Sequence, residues 1–302
     1  RGRFQAAPDF SPDNTGVFVC LDAPKSLSGV RMFGNFSGAG KVVSIVGAGS
    51  PGNMGQVMAR RFAQAGAKVV VSGRRTEVLA ELAESIDGDW VSCDFCDRGS
   101  IGHMVSEVQK RHGAIDVAIN ATGWGLLTGF CETSEEELDR MVDLQFKGPF
   151  IWLQRLVEVM SLQQQGCIIQ ISSATAKIML DNHAAYMGTK AGIDHVIRTV
   201  ANEFGEKGIR ANTISPGLTD TPMTADALQS PALANAFAQC YPLGRYGTSD
   251  DIAAAALFLA SEDCFMTGEN LQVNGGLNLR RNPRAHELEE AMIKAGEIPA
   301  PE

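Results

Sequence analysis

The stretch "SIVGAGSPGNMGQVMARRF", Ser44 to Phe62, passes from an apolar run through four glycines, Gly47, Gly49, Gly52 and Gly55, into an amphipathic run. Gly47, Gly49 and Gly52 satisfy the pattern G-x-G-x-x-G. Between a strand and a helix, such glycines let the backbone approach a pyrophosphate and aim the helix N-terminus at it, adding free N–H groups and the helix dipole. A tight turn without a ligand also uses glycine, but a loop that follows the first strand and opens a helix is the context that predicts a nucleotide. The chain does not settle into helix at Gly52, however; it runs on through Asn53 and Met54 to Gly55.

Outward from this loop, from Lys41 onward, an apolar run of strand length alternates with a longer amphipathic stretch. Strands are predicted over residues 41–46, 68–72, 89–92, 115–120, 166–172, 209–215 and 270–273, with helical patterns between them, one running unbroken from Ser134 to about Leu162. Strands rich in valine and isoleucine without polar alternation suit a sheet covered on both faces, and strand–helix alternation makes that sheet parallel. The expected fold is α/β: a doubly wound parallel sheet of the Rossmann type, about seven strands with helices on both faces. In such sheets ligands bind outside the carboxyl ends of the strands. Residues 41–276 read as one domain, with a lid over about 218–241, and residues 1–40 and 277–302 as N- and C-terminal extensions.

The bulk properties exclude several classes. At 302 residues the chain can bury a full-sized core, and a net charge of −9 argues against a nucleic-acid surface. Seven scattered cysteines, odd in number, suit a reducing compartment, and the expected location is the cytoplasm. The pair Cys93 and Cys96 lacks a second pair, and the five histidines lack ligand spacing, so no metal is expected. No apolar run approaches the roughly eighteen residues of a membrane span, and no signal-peptide core opens the chain, so no membrane partner is expected.

Directly after the fifth predicted strand stands Ser173, and further on "YMGTK" puts Tyr186 and Lys190 on one helical face, one turn apart. Together with "DF" at 94–95, "NATG" at 120–123 and "SPGLTDTPM" at 215–223, these marks resemble the short-chain dehydrogenase/reductase family, in its shorter single-domain branch, over roughly Lys41 to Gly276. The resemblance implies an NAD(P)-dependent oxidoreductase that interconverts a secondary alcohol and a ketone. It assigns Tyr186 as proton donor and acceptor, Ser173 to hold the substrate oxygen, and Lys190 to activate Tyr186 and bond the nicotinamide ribose. Tyrosine at its usual pKa of about 10 is a poor base near neutrality; an ammonium one turn away and the charge of oxidised nicotinamide favour the phenolate. The cofactor-binding set it implies is Gly47, Ser50, Gly52, Asn53, Met54, Gly55, Arg74, Asp94, Phe95, Asn120, Tyr186, Lys190, Pro216, Gly217, Thr219 and Thr221. The opening loop is similar to the family's G-x-x-x-G-x-G loop, widened, with Gly47 leading, Gly55 closing, and Gly52 or Asn53 in the middle. Two positions depart from the pattern. Gln145 stands where the family has an asparagine that holds a proton-relay water, so it maintains, reroutes or weakens that relay; Ala121 and Thr122 alter the support around Asn120.

The second strand ends in Gly73, Arg74 and Arg75 with no acidic residue, which favours NADP(H) and leaves NAD(H) open. The segments 123–130 and 174–185 and the lid are mainly apolar, consistent with a small-molecule alcohol or ketone that is apolar or cyclic. Two further readings stay open: a nucleotide-binding pseudoenzyme or regulatory subunit, suggested by Gln145 and the altered loop, and a non-redox lyase or isomerase of the same family. The resemblance also implies a homotetramer or homodimer, with the helices over 134–162 and 184–207 buried between subunits.

Overall fold

The computed structural model describes residues 36–300. Their elements in chain order are β1 (Val42–Val46), α1 (Met54–Gln64), β2 (Lys68–Gly73), α2 (Thr76–Ser85), β3 (Asp89–Ser92), α3 (Arg98–His112) and β4 (Val117–Asn120). There follow α4 (Glu135–Val142), a π-helical segment (Asp143–Lys147), α5 (Gly148–Gln163), β5 (Gly166–Ile171), α6 (Ala184–Phe204) and β6 (Ile209–Pro216). The remainder comprises β7 (Thr219–Asp220), α7 (Ala225–Gln229), α8 (Pro231–Gln239), β8 (Gly247–Thr248), α9 (Ser249–Ala260), β9 (Asn270–Val273) and α10 (Ala285–Lys294).

Every predicted strand is present, and seven of the strands form one parallel sheet in the order β3-β2-β1-β4-β5-β6-β9. Alternate side chains of each inner strand enter two separate cores. Val42 and Val46 face the layer of α3, α5 and α6, among Met104, Trp152, Leu156 and Ile193. Val43 and Ile45 face the layer of α1, α2 and α9, among Met58, Phe62, Leu79 and Ile252. Both faces being apolar explains the unalternated valine and isoleucine runs. The chain leaves β1 toward β2 on one side and reaches β4 on the other, so a crevice opens above the carboxyl ends of β1 and β4.

Two local features depart from the sequence reading. The helix expected over Ser134–Leu162 is interrupted by the π turn at Asp143–Lys147, where the Gly148 N–H reaches back to the Asp143 carbonyl. Pro149 has no N–H to give the Gln145 carbonyl, and Gly148 lies so close to the Phe95 carbonyl that a Cβ there would collide with it. The second feature is a separate two-stranded ribbon, β7 with β8, which has too few residues to leave a periodic signal.

The C-terminal segment is fastened to the loop after β5 and to the start of α8. Asn282 donates to the Met179 carbonyl at 3.0 Å, while Arg284 and the Ala285 N–H hold Asp181. At its far end Glu297 accepts from Ser230 and from the Ala232 N–H at the start of α8. Glu287 is clamped by Arg281 through two 2.6 Å bonds, which hold its carboxyl down at about 2.

Candidate active site

Two glycines fix the path of the loop after β1. Gly47, at φ 97°, lies so near Ala121 that a Cβ would come within 2.6 Å of its carbonyl carbon, and a Cβ on Gly55 would meet the Gly47 oxygen at 2.6 Å. Asn53 fills the middle position: it caps α1 by accepting from the Gln56 N–H at 3.0 Å and donates to the Gly47 carbonyl at 2.7 Å. Gly52, at φ 71° with open space around it, is part of the widened turn, which Gln56 braces from within by bonding the Gly52 N–H and the Ala48 carbonyl.

This loop forms one wall of a cleft of about 470 Å³. Of the residues named from the sequence, Gly47, Ser50, Asn53, Met54, Arg74, Asp94, Phe95 and Thr221 line it. Gly52, Gly55, Pro216, Gly217, Thr219, Tyr186 and Lys190 are not among the lining residues. Gly217 packs where any Cβ would strike the Tyr241 hydroxyl, and the Thr219 hydroxyl is turned onto the Gly217 carbonyl. Arg74 and Arg75 are both exposed at the end of β2, and Arg75 donates to the Ser50 hydroxyl, tying the basic corner to the glycine loop. The glycine loop, the N-terminal end of α1 and two guanidinium groups at the strand end, neither in an ion pair among the described residues, fit a phosphate-bearing dinucleotide.

Asn120, which the sequence reading gives to the cofactor, is fully buried, and its side chain donates to Gln170 at 2.9 Å and accepts from the Thr122 N–H and hydroxyl. It ties β4 to β5, and Thr122 completes that bracket.

Ser173, Tyr186 and Lys190 lie near one another next to Ile171, a residue of the cleft wall. Ser173 leaves β5 with its hydroxyl 2.9 Å from that of Thr175. Tyr186 and Lys190 lie in the first turns of α6, and the Lys190 ammonium donates to the Ile171 carbonyl at 2.9 Å, 5.5 Å from the centre of the Tyr186 ring. Ile171 itself lines the cleft. Burial pushes the Tyr186 phenol up to about 12 against the pull of the Ser173 hydroxyl, with the Asp194 charge adding to the rise. Burial also lowers Lys190 to about 8, although Asp194 opposes this. Desolvation is the largest effect on both groups, and the ammonium is aimed at a backbone carbonyl.

Gln145 is buried, and its amide is committed. Its N–H groups go to the Met141 sulfur at 2.8 Å and the Thr189 hydroxyl at 3.0 Å, and its oxygen accepts from the Trp124 N–H at 3.2 Å. A Cβ placed on Gly123 would lie 3.3 Å from that oxygen and 4.0 Å from the Lys190 nitrogen, so Gln145 borders the lysine while bracing the loop after β4. His183, which sequence reasoning set aside, packs face to face on Tyr186 with ring centres 4.2 Å apart. A histidine three positions before a helical tyrosine was the only signal for it.

Fold and site together define a dinucleotide-binding protein carrying a serine, a tyrosine and a lysine beside the nucleotide cleft. The family model described as enoyl-(acyl carrier protein) reductase matches residues 47–278. The chain is 32% identical over 247 residues to D-threitol dehydrogenase of Mycolicibacterium smegmatis, covering 80% of this chain and 94% of that protein. Among solved structures it resembles a short-chain type dehydrogenase/reductase from Mycobacterium ulcerans, with TM-score 0.79, 28% identity and coverage of 82% and 93% of the two chains. It also resembles a gluconate 5-dehydrogenase from Burkholderia cenocepacia in complex with NADP and tartrate, with TM-score 0.76, 27% identity and coverage of 80% and 96%. The chain belongs to the short-chain dehydrogenase/reductase family, and it is an NAD(P)-dependent oxidoreductase of alcohols and ketones.

Proposed function

We propose that the protein interconverts a secondary alcohol and its ketone with Tyr186 as the proton-transfer group, Ser173 holding the substrate oxygen and Lys190 at the ribose edge of the cofactor. The observation that supports this is the grouping of Ser173, Tyr186 and Lys190, with the Lys190 ammonium on the carbonyl of Ile171, a residue of the cleft wall. A nicotinamide, when bound, supplies or accepts the hydride. Tyr186 gives its hydroxyl proton to the substrate oxygen in reduction and takes it back in oxidation. Burial keeps the phenol protonated up to about 12, the form that donates in the reductive direction.

NADP(H) is the preferred cofactor in this reading, because Arg74 and Arg75 present guanidinium groups where an acidic residue would bond the adenosine ribose. Exposed Leu127, Met179 and Met223 around the mouth support a substrate with a carbon-rich body. Six unpaired cysteines among the described residues support a reducing, cytoplasmic setting, and no helix among them is long and apolar enough to cross a membrane. Exposed Phe150 on α5 supports association of copies into a dimer or tetramer.

The test is nicotinamide absorbance across a panel of ketones and secondary alcohols with both cofactors, for the wild type and Tyr186→Phe. The expected result is turnover with the wild type and none with the variant, whose cofactor affinity persists. Near wild-type turnover by Tyr186→Phe would overturn the assignment.

A further inference from the structure

Tyr186, Lys190 and Asp194 stand at intervals of four residues in α6, so each lies one turn from the next along the same face of the helix. Lys190 is 2% exposed, and among the described residues its ammonium has one hydrogen bond, to the uncharged Ile171 carbonyl, and no carboxylate in ion-pair contact. Asp194 has a matching deficit. One oxygen of its carboxyl accepts from the Asn270 amide at 2.6 Å, at the start of β9, while the other is buried without a hydrogen-bond partner among the described residues. An ammonium and a carboxylate that are each incompletely paired, one helical turn apart, offset one another's burial. Burial lowers Lys190 to about 8 and the Asp194 charge opposes it; burial pushes Asp194 up to about 6 against the pull of Ser172, Lys190, Lys177 and Asn270. Both groups are therefore charged at neutral pH.

Asp194 also lines a cavity of about 330 Å³ that shares no lining residue with the nucleotide cleft. The other charged or titratable groups there are Lys177 from the loop after β5, His195 and Arg198 from α6, and Glu269 ahead of β9, and all four are exposed. Solvent and salt screen exposed charges, which leaves Asp194 as the carboxylate that acts on the buried lysine. Gln145, the polar side chain bordering Lys190 from the π turn, is uncharged, and its amide is committed to Met141, Thr189 and Trp124. We infer that Asp194 is a positioning residue for the reaction: its carboxylate keeps the Lys190 ammonium charged from one turn further along α6, and so keeps the lysine fit to serve the ribose and the tyrosine. This rests on the roles proposed for Tyr186 and Lys190. The same charge raises the Tyr186 phenol, so its removal should move both groups in one direction, downward.

The experiment follows the Lys190 side chain by NMR in the chain free of nucleotide, with lysine isotope-labelled at Cε and the resonance assigned through Lys190→Arg. The wild type is compared with Asp194→Asn and Asp194→Glu. Asparagine keeps the shape and an oxygen for the Asn270 amide but carries no charge; glutamate returns the charge. Wild-type Lys190 is expected to titrate near 8, with a second, smaller inflection near 6 as Asp194 takes up its proton. In Asp194→Asn that inflection disappears and the midpoint falls by about one pH unit, and in Asp194→Glu it is partly restored. The alkaline limb of kcat/KM against pH moves to lower pH with it, because an ammonium that has lost its counter-charge gives up its proton sooner. A merely structural residue would lower the thermal midpoint and leave both titrations in place. A Lys190 midpoint unmoved in Asp194→Asn, or a wild-type resonance without the inflection near 6, would overturn the inference, and the second measurement needs no variant to fold. A midpoint that falls while the alkaline limb stays in place would instead overturn the role given to Lys190, and is thereby distinguished from a failure of Asp194 alone.

Discussion

Gln145 touches three elements at once, and each contact uses a different part of its amide. Gln145→Ala removes the acceptor of the part-buried Trp124 N–H, a loss of about 1 kcal/mol, so a lowered thermal midpoint in that variant is expected. A single-turnover transfer rate that falls by less than about tenfold alongside it would mark the residue as a brace, since a proton path is worth roughly a hundredfold or more. Lys190 makes an opposite case, a functional group that costs stability. Its pKa in the folded chain is about 8, against about 10.4 when unfolded, so between those values the unfolded chain binds more protons and stability rises with pH. Lys190→Met is therefore expected to raise the thermal midpoint at pH 7 while abolishing turnover, and that gain should shrink as the pH approaches 10. Arg74→Asp should shift the ratio of catalytic efficiencies from NADP toward NAD by replacing a phosphate partner with a repelling carboxylate. At this scale the sequence conveyed residue types well and partners poorly. Nothing local to Asn120 points to Gln170, fifty positions away, and nothing local to Arg75 points to Ser50, because that tie crosses between two loops.

Among the elements, the seven strands of the main sheet were legible to within two residues, most plainly β1, β2, β4 and β5, whose mainly apolar runs reflect burial on both faces. The π turn was hidden by the same kind of signal: the apolar period continues through Leu144 and Phe146, while Gly148 and Pro149 interrupt only the backbone bonding. The C-terminal segment carries no motif at all, and its attachment to Met179, Asp181, Ser230 and Ala232 exists only in three dimensions. Because those bonds join the loop after β5 to α8, deleting residues 280–302 should loosen the substrate mouth and leave the nucleotide cleft alone. Kinetics of the truncated chain are expected to show KM for the alcohol raised several-fold with an unchanged cofactor Kd. Equal weakening of both would show that the segment supports the whole fold.

At the scale of the whole molecule, Phe150 is 42% exposed on the outer face of α5, and Leu162 at the end of the same helix is 84% exposed. Light scattering at micromolar concentration should give a dimer or tetramer, and Phe150→Glu should shift it toward smaller species, since a desolvated carboxylate disfavours a shared apolar face. The alternation of strand and helix specified the class of fold directly, whereas surfaces between copies leave no comparable period in the chain. The central pairing of β1 with β4 has a temporal meaning. It joins Val42 to Asp116, 74 positions along the chain, and the nucleotide crevice has no walls until that pairing is made. Closing so long a loop is slow, and it precedes anything a nucleotide can grip. Added nucleotide should therefore slow the unfolding of the finished molecule and leave its refolding rate unaltered, so that the ligand prolongs the native lifetime without hastening its arrival.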